Sequence, residues 1–247
     1  MFENKEGQSI PEVTFKTRQG SEWVERSSAE VFGGKTVVVF SLPGAFTPTC
    51  SSSHVPRYNE LAAVFAEQGV DDIICVSVND AFVMNEWQAQ QDAENISFLP
   101  DGSASFTEGM GMLVNRDDLG FGPRSWRYSM LVKDGVVKKM FVEPQEPGDP
   151  FHVSDADTML EYLAPGTPVP QDVAVLTRPG CPHCTRAKIL LSEHGYSYDE
   201  LELLKHYPHR ALRALSGGDT FPQVFINGVH VGGADELQSW LDQRAAA

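Results

Sequence analysis

TVVVFSLPGAFTPTC, residues 36 to 50, changes character twice along its length. Thr36 to Leu42 is a short, β-branched apolar run and reads as a buried strand. Pro43-Gly44 ends it. Thr47 then suits the N-cap of a helix and Pro48 its first position, where the missing N–H costs nothing. Cys50 therefore falls in a first helical turn, where free N–H groups and the positive end of the macrodipole favour an anion. The reading is of a strand that delivers a thiol to a helix N-terminus, and the thiol is expected to be acidic.

Outward from this stretch, Val55 to Gln68 places Tyr58, Leu61, Ala62 and Phe65 at helical spacing before a Gly69 stop, and Asp72 to Val78 is a second buried strand. That is a β-α-β unit. Glu86 to Ala93 reads as a weaker helix, and Tyr128 to Val132 and Val136 to Val142 form a hairpin across Asp134-Gly135. Pro144 to Pro150 is a loop and Ala156 to Leu163 a short helix. The run PGTPVPQD, with three prolines in eight residues, sustains neither helix nor central strand and reads as an extended linker, with a domain boundary near residue 166. Beyond it come a strand at Asp172 to Thr177, a helix from Cys181 to about His194, a helix near Pro208 to Leu215, strands at Gln223 to Ile226 and Val229 to Val231 around Asn227-Gly228, and a final helix from Asp235.

A magnitude limits what the helix does for Cys50. A thiol with a pKa near 8.5 is about 3% ionised at pH 7, and a helix terminus lowers it by roughly 1.5 units at most. A mostly ionised nucleophile needs a cation as well, and an arginine, always charged and forked, suits best. Arg127 is the candidate, with Arg124 and Arg57 as rivals that spacing does not separate. Cys75, inside an apolar strand, reads as a buried small hydrophobe.

Cys181-Pro182-His183-Cys184 stands at a strand-to-helix junction. The first thiol is acidified by the helix end and accessible, and the second lies one turn inside, within disulfide reach, which suits thiol–disulfide exchange. The same spacing could be half a zinc site, but no second pair completes four ligands, so no metal is expected. Thr220-Phe221-Pro222 puts a proline at a strand's first residue, where a cis bond is tolerated. Gly233-Ala234-Asp235 ends a strand and opens a helix, offering N–H groups to a carboxylate, and Arg178 can bind a second one. Two such points beside a reactive thiol suit a small dianionic peptide.

Two resemblances emerge from these motifs. PGAFTPTCSSSH, with ICVSVNDAFVMNEW and RSWRYSMLVKDG, resembles the peroxiredoxins, and within them the peroxiredoxin V type, over about residues 3 to 163. That resemblance implies Cys50 as the peroxidatic thiolate, Pro43 shielding the pocket, Thr47 donating to the peroxide and Arg127 as the pocket arginine; His54 also matches. Some members carry a resolving cysteine late in the domain, and this sequence has none between Cys75 and Cys181. TRPGCPHC, TFPQVFING and VGGADEL resemble glutaredoxin over about residues 171 to 243. This implies Cys181 as nucleophile, Cys184 as its partner, and a glutathione site from Arg178, Thr220, Phe221, Pro222, Gly233, Ala234 and Asp235. Arginine at position 178 and histidine at 183 depart from the common lysine and aromatic.

The resemblances imply an α/β chain of two thioredoxin-like domains, a peroxiredoxin-type domain at 1–165 and a smaller glutaredoxin-type domain at 171–247, joined by a short proline-rich linker. The expected activity is a glutathione-dependent peroxidase acting on hydrogen peroxide and alkyl hydroperoxides, with glutathione as co-substrate and no metal or prosthetic group. A peroxide sensor or redox relay is the alternative. A homo-oligomer, dimer or tetramer, is also implied.

Composition bounds the partners. Among 247 residues, 34 acidic against 19 basic side chains give a net charge of −15 and leave no basic stripe for a phosphate backbone. No apolar run is long enough to span a membrane, and MFENKEGQSI has neither a basic nor an apolar leader region, so no nucleic acid or membrane partner and a cytoplasmic location are expected. Four cysteines at this length read as reduced thiols rather than a disulfide framework.

Overall fold

The computed structural model describes residues 2–245, and the chain divides after Pro168 into two compact units. The first opens with a hairpin, β1 (Thr14–Gln19) and β2 (Glu22–Ser27), and a short helix α1 (Ser28–Phe32). Its centre is a five-stranded sheet in the order β5 (Ser97–Pro100), β4 (Asp72–Ser77), β3 (Thr36–Ser41), β8 (Tyr128–Lys133), β9 (Val136–Val142). β3 pairs parallel with β4 and β4 with β5, whereas β8 and β9 run antiparallel.

The unbroken apolar run of β3 follows from burial on both faces. Val38 and Phe40 join Cys50, Tyr58, Cys75 and Trp87 in one cluster, and Val37 and Val39 join Phe32, Phe106 and Met130 in another. The first cluster is covered by α2 (Val55–Glu60), α3 (Ala62–Glu67), α4 (Ala81–Gln90) and α6 (Ala156–Leu163), while α5 (Ser105–Gly109) supplies Phe106 to the second. A small hairpin, β6 (Leu113–Asn115) with β7 (Pro123–Ser125), precedes Arg127.

Two helices differ from the sequence reading. The helix expected over Val55 to Gln68 is divided at Leu61, a fully buried residue with φ −87° and ψ 1° that tightens one turn before Phe65 N–H resumes the ladder to Leu61 O. The helix expected from Glu86 begins at Ala81, because the Asp80 carboxylate accepts from the N–H groups of Phe82 and Val83 and sets the start.

The second unit is a four-stranded sheet in the order β11 (Asp199–Glu202), β10 (Val173–Thr177), β12 (Gln223–Ile226), β13 (Val229–Gly232), with β10 and β11 parallel and the other pairs antiparallel. Helices α7 (Pro182–Glu193) and α9 (Ala234–Ala245) supply Ala187, Leu191, Leu237 and Leu241 to its core, and α8 (His209–Ser216) precedes β12. Among the described residues no helix is long and apolar enough to cross a membrane.

Candidate active site

Cys50 is fully buried at the start of a π-helical turn, Cys50–His54, in which the N–H of Val55 donates to Cys50 O. Such turns recur at functional sites because one surplus residue re-aims the side chains on either side of it. The helical turn starts at Pro48 and Ser51 N–H donates to Thr47 O, so Cys50 does lie in the first turn. The Thr47 hydroxyl does not cap it; it donates to Gly44 O at 2.8 Å. Half-buried Pro43 and fully buried Leu42 lead into this loop. Its tip, Phe46, is exposed with φ 63°, and Asn79 Oδ1 pins it by accepting from Ala45 N–H.

Of the three candidate arginines the structure brings one to the thiol. Arg127, 1% exposed, directs Nη1 at Cys50 Sγ (3.4 Å) and at His54 Nδ1 (3.0 Å), and donates through Nη2 to both carboxylate oxygens of Asp149. Arg57 is committed to Asp157 and Glu60, and Arg124 donates to Pro123 O and stacks over Phe121. His54, also fully buried, has Nε2 3.1 Å from Ser154 O, an acceptor only. Nε2 therefore carries the proton and Nδ1 accepts from Arg127. Burial and the Arg127 charge hold the imidazole well below its usual range, so it is a neutral acceptor.

One expectation is corrected. Burial pushes the Cys50 thiol above its ordinary range; the Arg127 charge and the Thr47 hydroxyl pull it back, while Asp149 adds to the rise. At this buried position the arginine, itself shared with a carboxylate, only partly offsets the cost of burying the thiolate. Cys75 sits opposite Phe40 on β4 in the same cluster, buried and pushed well up.

Residues that the sequence reading missed hold the site's far wall. Buried Glu143 accepts from the N–H groups of His152, Val153 and Ser154 and from the Ser154 hydroxyl, at 2.8 to 2.9 Å. That fixes Ser154 O, which receives the His54 and Tyr58 bonds. Glu143, Asp149 and Ser154 carry no motif, and Asn79 lies within ICVSVNDAFVMNEW without being singled out by it; only the folded chain brings these four to the site.

In the second unit Cys181 is the N-cap of α7, and Cys184 N–H donates to Cys181 Sγ at 3.2 Å. That bond, the Cys184 thiol and Arg178 together outweigh the burial of Cys181 and hold it below its ordinary range, whereas burial and the neighbouring thiol push Cys184 up to about 11. Cys181 is 6% exposed and Cys184 3%, so the two are less different in exposure than expected and differ mainly in electrostatics. The Phe221–Pro222 bond is cis. A cleft of about 440 Å³ is lined by His183, Thr220, Phe221, Pro222, Gly233, Ala234 and Asp235, among others. Exposed Arg178 stands over the Phe221 ring. Gly233 N–H is already taken by the Glu236 carboxylate, and Asp235 pairs with Arg186. No cluster of metal-ligating side chains occurs among the described residues.

With this geometry in hand, the comparisons are specific. The Redoxin family model matches residues 5–160 and the Glutaredoxin model residues 173–231. The chain is 62% identical to the hybrid peroxiredoxin hyPrx5 of Haemophilus influenzae, over 96% of this chain and 98% of that one. It is 55% identical to the peroxiredoxin sll1621 of Synechocystis, over 65% of this chain and 94% of the relative. Among solved structures, reduced Prx3 from Vibrio vulnificus in complex with hydrogen peroxide superposes with a TM-score of 0.61 at 44% identity, over 64% of this chain and 98% of the other. The Plasmodium falciparum 1-Cys peroxiredoxin gives 0.62 at 34% identity, over 65% and 98%.

Proposed function

The chain belongs to the hybrid peroxiredoxin–glutaredoxin family, a peroxiredoxin-type peroxidase with a glutaredoxin domain fused behind it, and from that premise we propose that it reduces peroxides at the expense of glutathione within one polypeptide. The observation that carries this reading is the division of labour among three of the four thiols. The first unit has one thiol under an arginine and a second, Cys75, sealed in the core; the second unit has a helix-capping thiol with a lowered pKa.

Cys50 sulphur attacks one peroxide oxygen, forming the S–O bond as the O–O bond breaks, and water or an alcohol leaves. Arg127 Nη1 lies where it stabilises both the thiolate and the charge that develops on the oxygens. A glutathione thiolate then displaces hydroxide from the sulfenic acid. Cys181 attacks the glutathione sulphur of that mixed disulfide, freeing the Cys50 thiolate and taking up the glutathionyl group, and a second glutathione thiolate attacks that group, freeing the Cys181 thiolate as glutathione disulfide leaves. Arg178 supplies a cation for one carboxylate of a dianionic tripeptide, and the other reaches the Gly233 N–H in the cleft by displacing the Glu236 carboxylate. Hydrogen peroxide and alkyl hydroperoxides are the substrates of this reading, the cytoplasm its compartment and a dimer or tetramer its assembly.

The test couples the purified chain to peroxide, glutathione, glutathione reductase and NADPH with no other thiol protein. Wild type turns over, and Cys181→Ser and Cys50→Ser do not. A Cys181→Ser variant as fast as wild type overturns the glutaredoxin step.

A further inference from the structure

Arg127 meets the site at both ends, and the second end belongs to a segment that read as a mere connector. Pro144 to Asp149 runs exposed for most of its length between β9 and the Glu143-bound residues His152 to Ser154, and it delivers Asp149, 36% exposed, onto a guanidinium that is 1% exposed. Arg127 has few other determinants of orientation. Its Nε is buried without a partner among the described residues, Nη1 is shared between Cys50 Sγ and neutral His54 Nδ1, and the Phe151 ring lies 5.4 Å from Cζ. The anions on this cation are therefore two, the Cys50 thiolate when it forms and the Asp149 carboxylate. Glu143, near in sequence, spends its carboxylate on the 152–154 amides.

We propose that Asp149 is the positioning residue of the peroxidatic site: by gripping Nη2 it presents Nη1 to Cys50, and by neutralising part of the arginine's charge it sets how strongly that arginine favours thiolate over thiol. The role deepens the peroxidase reading and rests on Cys50 as the reacting thiol. It contains a trade-off. A bidentate carboxylate fixes the fork that must also bind the peroxide oxygens, while the same carboxylate weakens the attraction available to the sulphur. Asparagine separates the two effects, because its side-chain oxygen still accepts from Nη2 without the charge; alanine removes both, and glutamate keeps both at a slightly different reach.

The experiment uses the full chain with Asp149→Asn, Asp149→Ala and Asp149→Glu. The Cys50 titration is read from ultraviolet thiolate absorbance, as the difference from each variant's Cys50→Ser counterpart, and Cys50 oxidation is followed with one equivalent of hydrogen peroxide. Asp149→Asn is expected to lower the Cys50 midpoint by about one pH unit. Asp149→Ala is expected to slow oxidation roughly tenfold even above its own midpoint, the signature of a misplaced rather than an un-ionised pair, with Asp149→Glu restoring most of the rate. An unchanged midpoint in Asp149→Asn, or an Asp149→Ala protein as fast as wild type above its midpoint, overturns the proposal. Should Asp149→Ala fail to fold, the Asp149→Asn titration decides alone. That titration needs no peroxide, so a wild-type Cys50 inert to peroxide would sink the peroxidase reading and leave the role of Asp149 still measurable.

Discussion

Replacing Arg127 by glutamine takes from Cys50 the only cation beside it among the described residues and leaves His54 and Asp149 in place. At the 3.4 Å separation of Nη1 and Sγ, an effective dielectric of about 20 gives an attraction of roughly 5 kcal/mol, equivalent to about 3.5 pKa units. The guanidinium charge is spread over three nitrogens and Asp149 offsets part of it, so we take about 2 units as the working value, a hundredfold loss of thiolate at neutral pH. Single-turnover oxidation of Cys50 by peroxide reads this directly. The Trp87 indole donates to Ser51 Oγ beside Cys50 at 3.0 Å and serves as an intrinsic fluorescent reporter for stopped flow. Arg127→Gln is expected to be about a hundredfold slower at pH 7, with the pH at which the rate levels off displaced upward by about 2 units. Arg127→Lys keeps the charge but cannot hold Cys50 and Asp149 at once, and falls between. An Arg127→Gln rate within about fivefold of wild type, or a levelling pH identical to wild type, refutes the assignment of Arg127 as the thiolate's counter-ion.

Iodoacetamide at pH 7 should label Cys181 well ahead of Cys184, since the first thiol lies below its ordinary pKa and the second is pushed up to about 11; equal labelling by peptide mass spectrometry would contradict that order. Glu143→Gln replaces a charged acceptor of three amides and a hydroxyl and is expected to cost about 2–3 kcal/mol in the denaturant transition of the first unit; a loss below about 0.5 kcal/mol would mean the 152–154 segment is held by something else. Phe40→Ala removes a fully buried ring stacked 4.3 Å from Tyr58, and about 3–5 kcal/mol of stability should go with it in the same transition.

The readable parts of the chain are those where burial or backbone geometry forces the residue type. β3 is legible because both its faces are covered, and Cys181 is legible because a strand, a tight turn and a helix start leave little choice for its position. The β1–β2 hairpin escaped because its outward residues are charged and mostly exposed, so its alternation is dominated by solvent. β11, an acidic edge strand of four residues, escaped for the same reason. At the site, Arg127 stood among three candidates because what distinguishes it is a fold contact 77 residues from Cys50. Asp149 was invisible: a proline- and glycine-rich loop announces a turn and says nothing of what the turn lands on. The upward push on Cys50 was equally illegible, since it comes first from burial that only the packed chain creates, with a smaller addition from the carboxylate of that loop.

Cys181 is both the reacting sulphur and the cap of α7, and this ties chemistry to folding. A helix cap is worth about 1 kcal/mol, which for a two-electron couple corresponds to roughly 20 mV. Any bond that Cys181 makes, to glutathione or to Cys184, takes anionic sulphur away from the first turn of the helix. The reduced domain is therefore favoured by that margin, and the disulfide is correspondingly readier to give up its oxidising equivalents. Because the folded thiol has the lower pKa, this contribution is complete above the unfolded thiol's pKa and fades as the pH falls through the folded one. The melting temperature of the reduced second unit thus becomes an electrochemical readout, with folding and electron transfer linked through a single atom.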